Sequence, residues 1–169
     1  MKKVVLGILL GMAVLCQPIT ASANSLSLIP TQEETGIPSE IYEEAQIVGG
    51  EFNICPELLL AIAERESQFT EDATNGSCMG LMQVNATVHK QRFVDAGWSP
   101  ADWSDSYKSL YVAASYLSEL FEQYEDAGVV LGIYHGESNA VKRGESGQLS
   151  KYVTGILERS AELERLAGK

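Results

Sequence analysis

Basic residues, histidines and long apolar runs are what this chain lacks. Its 12 lysines and arginines face 23 aspartates and glutamates, for a net charge of −11. That balance argues against nucleic acid or an anionic membrane surface as a partner. Any anionic substrate must be held by local contacts, since salt screens the wider field beyond about 10 Å. Two distant histidines and three cysteines make no cluster with metal-ligand spacing, so neither a metal nor another cofactor is expected. Past the first two dozen residues no stretch is apolar for long enough to cross a bilayer. Strict two-residue alternation is missing as well, which leaves room for a small β-ribbon at most in a mostly α chain.

The one long apolar run is at the start. Lys2 and Lys3 precede it, and Ala21-Ser22-Ala23 closes it with small residues. This is the pattern of a secretory signal peptide over 1–23, cleaved after Ala23. A lipidated Cys16 is disfavoured by the bulky Leu15 before it. The expected protein is therefore secreted and extracytoplasmic, with one compact domain. Cys55 and Cys78 are the cysteines left after cleavage. In an oxidising compartment the pair reads as a disulfide, worth ~3 kcal/mol in the chain-entropy account.

Residues 24–37 are polar, hold Pro30 and Gly36, and read as a flexible leader before a domain spanning 38–169. A helix is expected from Ser39 to the Gly49-Gly50 pair, and a second from Pro56 to near Phe69. A loop over Thr70–Cys78 and a helix over Asn85–Ala96 follow. The long apolar series Leu110, Ala113, Ala114, Leu117, Leu120 and Phe121 marks the core helix, about Ser106–Tyr124. Helices over Val129–His135 and Ser150–Leu166 complete the set, with a glycine-containing loop between them. Trp98 and Trp103 fit packing beneath a connector.

One stretch stands apart. On the second helix Leu59, Ile62, Ala63 and Glu66 share one stripe at ~100° per residue, while Glu57, Glu64, Arg65 and Gln68 fall opposite. A carboxylate in the apolar register is either a helix-end side chain bending to water or a desolvated acid with a raised pKa. After it come Gly80-Leu81-Met82-Gln83 and then Val84-Asn85.

In order and spacing these pieces resemble the soluble lytic transglycosylase family over residues 40–158. The matching motifs are Glu66-Ser67, Gly80 to Gln83, Asp105 to Leu117, Leu131 to Gly136, and Tyr152-Val153. Ser106, Ser109, Ala113, His135 and Glu137 depart from the family's usual Pro, Asn, Gly, Asn and Gly. The resemblance implies a lysozyme-like fold of the goose-lysozyme and transglycosylase type. It implies Glu66 as the catalytic acid, and Ser67, Met82, Gln83, Asn85, Tyr134 and Tyr152 as substrate-binding residues. Taken alone, each tyrosine also fits core packing, Gln83 a loop cap, and His135 a solvated surface imidazole. Val84-Asn85 looks like the version found in small transglycosylases of secretion and conjugation machines, which implies such a machine as a partner.

The implied reaction cuts the β-1,4 bond between N-acetylmuramic acid and N-acetylglucosamine in peptidoglycan glycan strands. It forms 1,6-anhydro-muramyl ends without consuming water. Most glycosidases need two carboxylates, and no second acid lies in a motif beside Glu66. A hydrolytic muramidase using Glu66, or a non-catalytic wall-binding subunit of a secretion or conjugation apparatus, would carry the same motifs.

Overall fold

The computed structural model describes residues 31–169. The expected signal segment and residues 24–30 of the leader lie outside them. Eight helices and one three-stranded sheet make up the described residues. Among them no helix is long and apolar enough to cross a membrane.

The leader gives way to packed chain sooner than expected. Thr31 and Glu34 form a reciprocal capping box on α1, Gln32–Thr35. Behind it Thr35 and Ile37 are buried, and Arg159 donates to the Thr35 carbonyl at 2.6 Å. Helix α2, Ser39–Phe52, runs through the glycine pair and stops on Asn53 at φ 53°. Helix α3, Pro56–Ser67, begins with proline in its first turn. It is the central element: Leu59, Leu60, Ile62 and Ala63 have no exposed surface. It packs between α2 and α8, Lys151–Leu166, while α2 leans on the long α5, Ser106–Gln123.

The region after α3 is a small sheet instead of a bare loop. β1, Thr74–Asn75, pairs antiparallel with β2, Cys78–Met79, which pairs with β3, Val84–Asn85. Two-residue strands give no alternation to detect in the sequence. α4 is correspondingly short, Lys90–Asp95. A 3-10 turn, Pro100–Ser104, leads into α5. Trp98 packs edge-on against Tyr111, with ring centroids 4.9 Å apart.

The turn between β2 and β3 is held from α5. Gly80 has φ +78°, and a Cβ there would lie 2.2 Å from the Trp103 carbonyl. No other residue type fits that approach. Ser109, buried on α5, accepts a hydrogen bond from the Met82 amide at 3.1 Å.

The remaining helices are α6, Ala127–Tyr134, and α7, Ala140–Ser146. A loop was expected where α7 lies. Its Gly144 faces Val129 so closely that a Cβ would meet the valine methyl at 2.2 Å. The glycine permits close packing of α7 on α6 and does not mark a break.

The expected disulfide is not formed: Cys55 and Cys78 are both free thiols. Cys55 caps the start of α3, and Cys78 lines a cleft at that helix's far end. Twelve residues of helix separate the two places, about 18 Å at 1.5 Å per residue. A disulfide needs Cα atoms within about 7 Å. The Cys55 thiol donates to Glu57 at 2.9 Å. Burial, with the Glu57 carboxylate beside it, pushes this thiol up to about 12. A thiol reagent is therefore expected to label Cys78 in the folded protein and Cys55 only after unfolding. Equal labelling of both in the native state would contradict this arrangement.

Candidate active site

The cleft lies where the end of α3, the sheet and the end of α6 meet. Its volume is about 300 Å³, and its lining includes Glu66, Asn75, Cys78, Gln83, Asn85 and His89. Tyr116, Tyr134 and His135 also face into it. Glu66 is the one carboxylate among the residues lining it.

Local backbone explains why Glu66 sits at the mouth. α3 ends one residue later, and both Gln68 and Phe69 take left-handed conformations, at φ 52° and 61°. Two such residues in succession are unusual without glycine. They turn the chain away at once, leaving the last helical turn open to the cleft. Ser67 spends its hydroxyl on the Ala63 carbonyl at 3.2 Å.

Two tyrosines flank the carboxyl. Tyr152, on the first turn of α8, donates its hydroxyl to Glu66 Oε1. Tyr134, at the end of α6, donates to the Met82 carbonyl at 2.7 Å. Burial raises both phenols, and the Glu66 carboxylate raises them further. They remain donors at any working pH. Burial also raises the Glu66 carboxyl, opposed in part by the Tyr152 hydrogen bond and by the charges of His135 and Arg65. The net effect is an acid that holds its proton to higher pH than an ordinary glutamate.

The other expected binding residues fall into two groups. Gln83 and Asn85 line the cleft, but their amides are already engaged. Gln83 Nε2 donates to the Ala73 and Gly80 carbonyls at 2.9 and 3.0 Å. Asn85 donates to Ser77 and accepts from the Thr87 and Val88 amides. Met82 has a fully buried side chain, and Ser67 is not among the lining residues. These two shape the site from behind: Met82 through its carbonyl, Ser67 through the helix end.

Several cleft residues were missed. His89 and Tyr116 form a tilted pair with centroids 4.5 Å apart, and the Arg92 guanidinium sits 5.3 Å from the Tyr116 ring. Tyr116 belonged to a quoted motif, so a signal was present; His89 offered none. His135 is exposed, as expected of a surface imidazole, but its ring also stacks on Tyr152, with centroids 3.7 Å and planes 12° apart. Among the described residues no group of three or more His, Cys, Asp or Glu is placed to hold a metal ion.

Residues 45–152 match the family described as Transglycosylase SLT domain. The chain belongs to this family. Its helical fold with a small antiparallel sheet is accordingly lysozyme-like. Curated relatives include Protein IpgF of Shigella flexneri and Protein IpgF of Shigella sonnei, each 32% identical over 103 residues. Each alignment covers 57% of this chain and 67% of the relative. The SLT match begins on α2 and ends at Tyr152, so it contains the whole cleft and both tyrosines that flank Glu66.

Proposed function

We propose that this SLT-family protein is an exported lytic transglycosylase. It cleaves the β-1,4 bond between N-acetylmuramic acid and N-acetylglucosamine, with Glu66 as acid and then as base. The observation that carries the reading is a single, half-buried carboxylate in a cleft otherwise lined by neutral and aromatic groups.

A lone acid suits a reaction whose nucleophiles come from the substrate. Protonated Glu66 gives its proton to the glycosidic oxygen as the C1–O bond breaks. The muramyl N-acetyl carbonyl then bonds to C1 and spreads the positive charge. Ionised Glu66 next takes the proton from the C6 hydroxyl. O6 bonds to C1 and displaces the acetamido oxygen, closing a 1,6-anhydro ring. Glu66 ends protonated, and no water is consumed. Because the first step needs the protonated acid, activity is expected to fall as pH rises through the raised carboxyl value.

Digestion of purified peptidoglycan in ¹⁸O-water tests the reading. Released muramyl ends are expected to carry no label. Labelled reducing ends would establish a hydrolase, and retention on the wall without release would favour a binding subunit. N-terminal sequencing of the exported protein tests the export part; a chain that still begins at Met1 would contradict it.

A further inference from the structure

We infer that His135 is a positioning residue for the reacting carboxyl: by stacking on Tyr152 it holds that hydroxyl on Glu66 Oε1 and leaves Oε2 to carry the transferable proton. The inference rests on Glu66 being the acid.

The placement follows from two consecutive residues that part company. Tyr134 and His135 end α6, and Gly136 turns the chain at φ +83° directly after them. The Tyr134 hydroxyl goes to the Met82 carbonyl. The His135 ring goes to Tyr152. Tyr152 itself sits just inside α8, whose start is fixed by the Ser150 hydroxyl on the Val153 amide at 3.2 Å. That cap fixes the backbone but not the ring. A phenol hydroxyl lies far from its Cα, so a modest change at χ1 swings it out of hydrogen-bond range. A face-to-face neighbour removes that freedom.

The chemical consequence concerns the two oxygens of one carboxyl. They are equivalent until a donor distinguishes them. A hydroxyl donating to Oε1 makes that oxygen the acceptor and puts the acidic proton on Oε2. When Glu66 ionises, the same hydrogen bond stabilises the carboxylate that must next act as base. His135 is exposed while Tyr152 is buried. Core packing would bury the histidine too, so its loss removes little buried surface and a functional effect can be read separately from stability. The groups facing Glu66 are Arg65 on its own helix, Tyr134 and His135 from α6, and Tyr152 from α8; Cys78 and His89 line the same cleft. The Arg65 guanidinium also sits 5.8 Å from the Tyr152 ring.

The test compares the wild type with His135→Ala, His135→Phe and the Tyr152→Phe background. Two readouts are used: kcat and KM on soluble glycan strands, and the Glu66 carboxyl titration by carbon-13 NMR, assigned by difference from Glu66→Gln. Loss of the stack in His135→Ala is expected to lower kcat about five- to tenfold with KM within about twofold. Its Glu66 carboxyl is expected to titrate at higher pH than in His135→Phe, which lacks the same imidazole charge but keeps the ring, because the hydrogen bond favouring the ionised form is weakened. His135→Phe restores the ring and is expected to bring kcat back to within about twofold of wild type. In the Tyr152→Phe background His135→Ala is expected to add nothing further. A kcat unchanged by His135→Ala, a loss confined to KM, or a Phe variant as poor as the Ala variant would overturn the inference. If the wild type releases no fragments, the function reading fails by itself. The titration then decides, and a Glu66 carboxyl that titrates alike in His135→Ala and His135→Phe overturns the positioning role.

Discussion

Glu66→Gln is expected to yield a folded protein that releases no detectable glycan fragments, with turnover at least ~10³-fold below wild type. The amide keeps the size of the side chain, and its Oε1 still accepts from Tyr152. It has no proton to give the leaving oxygen and no basicity with which to collect one from C6. With one group proposed for both steps, the loss is expected at the upper end of what a single general acid supplies. The same variant is expected to melt higher than wild type at neutral pH. Burial raises the Glu66 carboxyl in the folded protein. A group raised in this way contributes its stability below the ordinary carboxyl range and loses it as pH rises through the folded value. The advantage of the glutamine variant should therefore grow from acid towards neutral pH. Calorimetric melts across that range check it; a variant less stable at neutral pH would mean that the carboxylate is not held against its solvation.

Glu57→Ala should be the most damaging substitution outside the cleft. Glu57 has no exposed surface. Lys169 donates to its two oxygens at 2.9 and 3.0 Å, and the Cys55 thiol donates at 2.9 Å. Removing the acceptor takes from the Cys55 thiol and from Lys169 the carboxylate they share at the start of the central helix. Breaking a buried ion pair costs about 3–5 kcal/mol. The Lys169 side chain keeps 38% of its surface, so water recovers part of that. The lower end, about 3 kcal/mol, is the expected loss, roughly 6–12 °C in Tm for a domain of this size. The pH dependence has a definite sign. Burial alone would raise the Glu57 carboxyl, but the hydrogen bonds from Cys55 and Lys169 together lower it below the usual range. Its stabilisation is thus present above that range and lost as pH falls through the folded value. Lys169→Met removes a main opposing partner and should reverse the trend, with stability falling as pH rises. Melts of both variants across acid and neutral pH decide this; a Glu57→Ala melt within 1–2 °C of wild type would mean the pair contributes about nothing net.

The sequence made α3 legible because its stripe is local. Leu59, Ile62, Ala63 and Glu66 are separated by single turns, and the structure buries the first three and opens the fourth to the cleft. Glu57 was misplaced on the outer face for the opposite reason. Its partner lies 112 residues away, and helical periodicity cannot report a charge paired over that distance. The disulfide expectation argued from compartment alone and could not see that a helix separates the two thiols. Glycine misled twice in the same manner. The Gly49-Gly50 pair and Gly144 looked like breaks but lie within helices, with Gly49 and Gly144 where neighbours press against the backbone. The site's second layer was the least legible part. The Tyr152 contact with Glu66 and the His135 stack depend on how α6 and α8 converge, which no local pattern encodes.

Mass spectrometry of fragments released from purified peptidoglycan, by the wild type and by Glu66→Gln side by side, tests the central claim most directly. Anhydro-muramyl ends, lighter by one water than reducing ends, are expected from the wild type and none from the variant. Reducing ends from the wild type, or anhydro ends from a folded Glu66→Gln protein, would contradict it.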